Sequence, residues 1–347
     1  MRTMPETPLI ITIDTEGDDI WSKPREITTR NAGYLPRFQA LCERFGFKPV
    51  YLANYEMAMS DAFVEFGREV LARGAGEIGM HLHAWNSPPI VPLTGDDFRF
   101  QPYLIEYPAE VMREKIRTMT RLLEDRFDQA IVSHRAGRLG FDERYAGMLL
   151  DEGYRVDCSV SPCLDWSSTL GDPAGNGGTD YRAFPARPYF FDPADIAAPA
   201  RGELLEVPMT IRPCGMHRSA PWVYRVPLLR QTVNRLLSPA LNHLCPAENG
   251  LSGMLRAARG SRADGADHVE FTLHSSEFMP GGSPSFRGAA DVERLYDDLE
   301  ILFEELSTWC HGMTLAEFHP WFRKRWVQER RAPLGPEEDR RGLAAGI

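Results

Sequence analysis

The sequence predicts an α/β fold built on a mainly parallel sheet, closed into a barrel rather than left open. Three observations carry this. Short apolar runs rich in β-branched and aromatic residues alternate with helical patterns along most of the chain, as βα units require. Seven such runs occur, and no G-x-G-x-x-G signature of an open dinucleotide-binding sheet accompanies them. The 347 residues are 43% hydrophobic and 25% charged, enough apolar material for one large core.

The first strand is expected at 9–14, followed by a helix over 35–45 that stops at Gly46. A second strand at 48–53 leads to a helix over 61–73, again stopped by a glycine, Gly74. The third strand spans 77–83. A long helix over 109–127 follows Pro108, with Val111, Ile116, Met119, Leu122 and Leu123 at helical spacing. Further strands are expected at 130–134, 154–159, 203–211 and 268–274, and a helix over 292–306. Thr314-x-x-Glu317 has the form of a capping box opening a short final helix. The Pro- and Gly-rich stretches 85–107 and 162–199 are too long for simple connections and are expected to be functional loops. From Gln328 the chain is charged and rich in Gly, Ala and Pro without apolar periodicity. One barrel domain is therefore expected over 1–327 and a flexible tail over 328–347.

Composition narrows the function. The net charge of −10, from 49 acidic and 39 basic residues, argues against a nucleic-acid partner, which requires a concentrated basic face. The six cysteines, Cys42, Cys158, Cys163, Cys214, Cys245 and Cys310, contain no C-x-x-C pair and read as reduced thiols. The first apolar run is too short for a signal peptide, and no stretch approaches the roughly 20 residues of a membrane span. A cytoplasmic protein without a transmembrane segment is the expectation.

The polar residues of chemical interest gather at strand ends: Asp14 and Glu16, His81 and His83, Arg135, Asp157 and Ser159, and His274. In a parallel barrel these ends converge on one face, where active sites form. His81 and His83 are two apart in a strand and so point the same way, as do Asp14 and Glu16. Two neutral imidazoles and a carboxylate make a metal platform that leaves coordination positions open. The bland alternatives are two half-buried histidines bonded to backbone and a solvated acidic turn, since Asp18 and Asp19 follow directly. A metal hydrolase also needs a base and an acid. Asp14 and His274 can supply them, with Arg135 holding Asp14 ionised and Asp157 pairing with His274 to keep it protonated. For Arg135 and Asp157 the alternative is a buried ion pair joining strands. Trp85 and Asn86 can line a sugar site or anchor the core, and the Gly/Pro-rich run 275–285 can cover a substrate. No G-x-S-x-G elbow or P-loop is present.

The order D-T-E, E-I-G-x-H-x-H, H-R-A-G, D-x-S and L-H resembles the five motifs of the NodB-type polysaccharide deacetylases, carbohydrate esterase family 4, over roughly residues 8 to 320. EIGMHLHAWNSPP most resembles the WalW-like branch. The resemblance implies a distorted (β/α)7 barrel and a deacetylase acting on an acetylated amino sugar. It implies Asp14 as general base, His274 as general acid, Arg135 orienting the base and Asp157 tuning the acid. One divalent metal, zinc first among candidates, would be held by Glu16, His81 and His83, with Trp85, Asn86 and Ser159 near the substrate. D-T-E replaces the family's adjacent aspartates, and the histidines are two apart rather than four, with Trp85 at the usual second position. A carbohydrate-binding pseudoenzyme on the same barrel and a hydrolase of another non-peptide C–N bond are the rival readings.

Overall fold

The computed structural model describes residues 7–213 and 241–329. The strands Thr7–Thr15, Pro49–Ala53, Glu77–Leu82 and Ser133–Ala136 are buried on both faces, as strands of a parallel sheet covered by helices must be. The strands are β1 (Thr7–Thr15), β2 (Pro49–Ala53), β3 (Glu77–Leu82), β4 (Ser133–Ala136), β5 (Val156–Asp157), β6 (Tyr189–Asp192), β7 (Asp195–Pro199), β8 (Leu204–Glu206), β9 (Ile211–Pro213), β10 (Leu241–His243), β11 (Val269–His274) and β12 (Cys310–Gly312). Helices are α1 (Leu35–Arg44), α2 (Tyr55–Met59), α3 (Asp61–Ala72), α4 (Asp97–Phe100), α5 (Ala109–Phe127), α6 (Glu143–Asp151), α7 (Pro246–Ala263), α8 (Ala289–Ser307) and α9 (Leu315–Glu329).

Among the described residues the main sheet runs β11-β1-β2-β3-β4-β5-β8-β6-β7, with β12 added beside β1. The first seven strands of that order are mutually parallel; β6 and β7 are antiparallel additions beyond β8. This is the expected α/β fold: the seven expected strands run parallel, and β12, parallel to β1, is an eighth. Strand pairing does not join β8 to β11. The residues after β8 bridge that gap instead: Glu270 N donates to Thr210 Oγ1 at 2.9 Å, and His268 Nε2 lies 2.8 Å from the Pro208 carbonyl.

Side-chain parity divides the interior. Odd residues of β1, Leu9, Ile11 and Ile13, join the large core beneath the helices, together with Ile78, Met80 and Leu82 of β3. Ile10 faces the other way, into a smaller cluster with Val50, Leu52, Val156, Cys158, Leu205 and Val207. Leu315, Phe318 and Phe322 of α9 complete that cluster, so α9 closes the bottom of the sheet's inner face. Its start is fixed as expected. Thr314 Oγ1 accepts from Glu317 N, and Glu317 Oε2 accepts from Thr314 N. Buried Glu77, at the bottom of β3, accepts a further bond from Ala316 N at 2.8 Å.

Several expectations change. The strand expected at 203–211 is two, because Pro208 has no N–H to continue the ladder; β8 stays in the main sheet and β9 leaves to pair with β10. The fourth strand is shifted toward the C-terminus, its register set by His134 opposite Met80. The expected loop 162–199 ends in the β6–β7 hairpin. Helix α7 was not anticipated because Gly250, Gly253 and Gly260 interrupt its apolar pattern, and Gly250 does adopt a non-helical conformation. Helix α6, capped by Asp142 accepting from Tyr145 N, was also not anticipated. Gln328 and Glu329 close α9; the rest of the expected tail, 330–347, and Cys214 lie outside the described residues.

A candidate metal centre at the mouth of the sheet

Climbing the inner face of β1, the residues change from Ile10 to Thr12, Asp14 and Glu16, so the apolar floor gives way to a polar layer and then to a cluster of ligands. On β11 the equivalent ascent is Glu270, Thr272 and His274. Parallel register places Asp14 opposite His274 and His81 opposite Arg135.

Arg135 organises the polar layer. It is fully buried, and four of its donor contacts are satisfied: Nε to the Cys158 carbonyl at 2.9 Å, Nη1 to Asp14 Oδ1 at 2.7 Å and Thr272 Oγ1 at 3.0 Å, and Nη2 to Glu270 Oε1 at 2.7 Å. Thr12 Oγ1 donates to the same Glu270 oxygen. Burial pushes the Asp14 carboxyl up, but Arg135 and His274 outweigh that and hold it well below the usual carboxylate range. Asp14 is therefore anionic at neutral pH.

Above this layer Glu16, His81 and His83 present one ligand atom each to a common point, all buried. His81 Nε2 and His83 Nε2 are 3.0 Å apart, and Glu16 Oε2 lies 3.3 Å from His83 Nε2 and 3.6 Å from His81 Nε2. Ligands about 2.1 Å from a tetrahedral zinc are about 3.4 Å from one another. The donor set fits a divalent cation, and its tautomer fits as well. His81 Nδ1 is 3.1 Å from the Arg135 carbonyl, which accepts a hydrogen bond from Nδ1–H and leaves the Nε2 lone pair facing the cluster. Burial and the neighbouring His81 hold the His83 imidazole well below its ordinary value, so it stays neutral, the form that ligates.

The cluster is held from outside. The Gly137 position faces His83: a Cβ there would lie 2.4 Å from His83 Cδ2 and 2.3 Å from the Leu82 carbonyl oxygen. The Trp85 ring stacks on His83 at 4.4 Å. Asp18 is no solvated turn residue. It is buried and accepts bonds from Thr28, Arg30 and Asn31, and Asn31 Nδ2 in turn donates to the Glu16 carbonyl. Ser275 Oγ accepts from Glu16 N at 3.1 Å.

His274 flanks the cluster, its Nε2 3.9 Å from both Asp14 Oδ2 and Glu16 Oε1. Burial lowers its affinity for a proton, but Glu277, Glu16 and Asp14 reverse this and raise it to about 10. Glu277 is the partner that sequence reading missed. Its carboxylate accepts from His274 N at 3.0 Å and lies 3.4 Å from Nδ1.

The expected pairing of Asp157 with His274 is not found. Asp157 lies between inward-facing Val156 and Cys158, so parity turns it to the helix side of the sheet. There it binds His134 Nδ1 at 2.6 Å, while His134 Nε2 meets the Tyr145 hydroxyl at 2.7 Å. Ser159, of the same parity, donates to Asp157 Oδ1 and accepts from Ala136 N; it is fully buried. Trp85 and Asn86 are buried too. Asn86 Nδ2 donates to Glu56, whose carboxyl burial raises to about 7. The three side chains expected to meet substrate are thus as buried as the cluster itself. Among the described residues, an exposed aromatic beside the cluster is Trp21, 4.9 Å from the His274 ring.

No protein-family model matches the chain, and no curated protein sequence does. Solved structures share its fold. One from Mycobacterium smegmatis, assigned by name to the polysaccharide deacetylases, aligns over 94% of this chain and 95% of its own, at a TM-score of 0.51 and 12% identity. The chain shares the fold of that structure. A structure from Parabacteroides distasonis, named for a glycoside hydrolase/deacetylase, aligns over 93% of this chain and 73% of its own, at a TM-score of 0.60 and 11% identity. No described helix is long and apolar enough to cross a membrane.

Proposed function

We propose that the protein is a metal-dependent hydrolase that removes an N-acetyl group from an amino sugar. The observation that carries this is the placement of a carboxylate and an imidazole, Asp14 and His274, 3.9 Å from each other, with His274 also 3.9 Å from Glu16 of the Glu16–His81–His83 triangle. The names of the proteins that share the fold point to the same chemistry.

Glu16, His81 and His83 would hold the cation, and the nature of the donors favours zinc. When bound it supplies Lewis-acid polarisation of the amide carbonyl and acidifies the attacking water. Asp14, anionic and aimed by Arg135, takes the proton from that water as oxygen adds to the carbonyl carbon. His274 Nε2–H gives its proton to the nitrogen as the C–N bond breaks. A free amine and acetic acid leave; the acid's proton and the one held by Asp14 pass to solvent, from which His274 recovers the proton it gave, so one proton is released per acetate formed. Glu277 keeps His274 protonated and oriented through Nδ1. Asp157 has no part in these steps and secures β4 to β5 and α6. The EIGMHLHAWNSPP segment supports the WalW-like branch as the finer placement.

Asp14→Asn and His274→Ala each test the roles. Both should fold and keep their metal while acetate release falls by about 10²–10⁴, the usual contribution of a positioned acid or base. Full activity in both variants would sink the assignment. Metal content separates the pseudoenzyme reading, which expects sugar binding without stoichiometric metal.

A further inference from the structure

We propose that Trp21 forms the aromatic wall of the substrate entrance and stacks on the apolar face of the neutral sugar ring that carries the acetamide. This rests on the hydrolase reading above.

Access decides where a substrate must pass. The side chains of Asp14, Glu16, His81, His83 and Arg135 are at most 7% exposed, whereas that of His274 is 34% exposed. A molecule approaching the cluster therefore crosses the His274 side. Trp21 stands there, its ring set edge-to-face against the imidazole at 72°. The residue is 39% exposed, unusual for an indole in so well packed a chain.

The exposure is built in rather than a product of fraying. Trp21 is the middle residue of a single 3-10 turn, Ile20–Ser22, whose flanking residues Asp19 and Lys23 both hold left-handed backbone at φ 45° and 55°. Non-glycine residues adopt that conformation rarely, and the surroundings must impose it. They do so on both sides. Asp19 N donates to the Gly282 carbonyl at 3.1 Å, Lys23 Nζ to the Arg99 carbonyl at 2.7 Å, and Arg25 pairs with Asp96 at 2.6 Å. Ile20 is buried beneath the turn. The indole is thus presented on a fixed support beside the proposed proton donor, where it can meet C–H bonds of a pyranose while the acetamide reaches inward. Trp85, the aromatic that sequence reading offers for this task, is stacked on His83 and buried.

The test uses the zinc-loaded protein, Trp21→Ala and Trp21→Phe, with a panel of neutral N-acetylated hexosamine mono- to tetrasaccharides. Acetate release should show KM raised about tenfold in Trp21→Ala, the size of one good aromatic contact. Its kcat should stay near the parent value, and Trp21→Phe should recover most of KM. In parallel, indole fluorescence of the Asp14→Asn protein should change on titration with the same saccharides, and the change should vanish when Trp21→Phe is added. Should Trp21→Ala lower kcat alone, Trp21 is a prop for His274 and the wall is overturned. Acetate release with neither KM nor fluorescence sensitive to Trp21 overturns the wall and leaves the hydrolase reading standing. A Trp21-dependent fluorescence change without acetate release does the reverse, and a response in neither overturns both.

Discussion

Single residues in this protein act through the direction in which strand geometry points them. Arg135 is the clearest case, since its guanidinium joins Asp14 and Glu270 with no access to water. Arg135→Met removes the guanidinium that pairs with Asp14 Oδ1 and Glu270 Oε1 and leaves two buried acids facing each other. A loss of about 3–5 kcal/mol is expected, read as a lowered urea midpoint. An unchanged midpoint would mean that water or protonation replaces the arginine at little cost. Gly137 makes a second case. Gly137→Ala must push either the Leu82 backbone or the His83 ring, so about 1–3 kcal/mol of overpacking is expected. Zinc affinity, measured against a competing chelator, should fall by about 10–100-fold, as when other supports of a metal ligand are lost. Wild-type affinity in that variant would overturn the view that the bare Gly137 backbone is needed to hold His83 in place. The parity that aims Asp14, Glu16, His81, His83 and His274 at one place is readable in the sequence, because residues two apart in a strand share a face. The same rule, applied to Asp157 against Cys158, turns Asp157 away from them.

Elements are tied together by a few buried polar side chains. Lys115 of α5 reaches under the segment that follows His83 and donates to the Ser87 and Pro89 carbonyls at 2.7 Å each. Burial lowers its ammonium from 10.5 to about 8, with Asp97 opposing the shift. The folded chain therefore gives up this proton near pH 8 and the unfolded chain only near pH 10.5. Between those values the unfolded state binds more protons, so the Lys115 contribution to stability rises with pH across that window. Urea midpoints of the parent and Lys115→Met, compared between pH 7.5 and 10.5, should show this slope in the parent and its loss in the variant. Parallel profiles would place Lys115 in solvent. Helix boundaries set by local signals, such as the glycines after 45 and 73 and the Thr314 box, are legible in the sequence. Those of β4, β8 and β9 are not, because partner strands across the sheet fix their register.

At the scale of the molecule, the cluster couples ligand binding to folding. Two imidazole nitrogens 3.0 Å apart beside a carboxylate form only when β1 and β3 are in place. A cation that binds there and not to the unfolded chain stabilises the fold by about 2.7 kcal/mol at a hundredfold excess over Kd. Zinc should raise Tm by several degrees over the chelator-treated protein, and Glu16→Ala should abolish the difference. Equal melting in zinc and chelator for the parent would count against a metal centre.

The sequence by itself determines the fold class, the seven parallel strands and the inward set of ligand and acid–base candidates, since all of these follow from periodicity of 2 or 3.6 along contiguous segments. Only the tertiary structure decides which groups become partners. Glu277 rather than Asp157 meets His274, Glu270 shares Arg135 with Asp14, Asp18 anchors the Glu16 loop, and Trp21 rather than Trp85 stands open at the entrance. Those choices depend on how loops after different strands pack together, and no local pattern in the chain encodes a contact between residues that folding alone brings within reach.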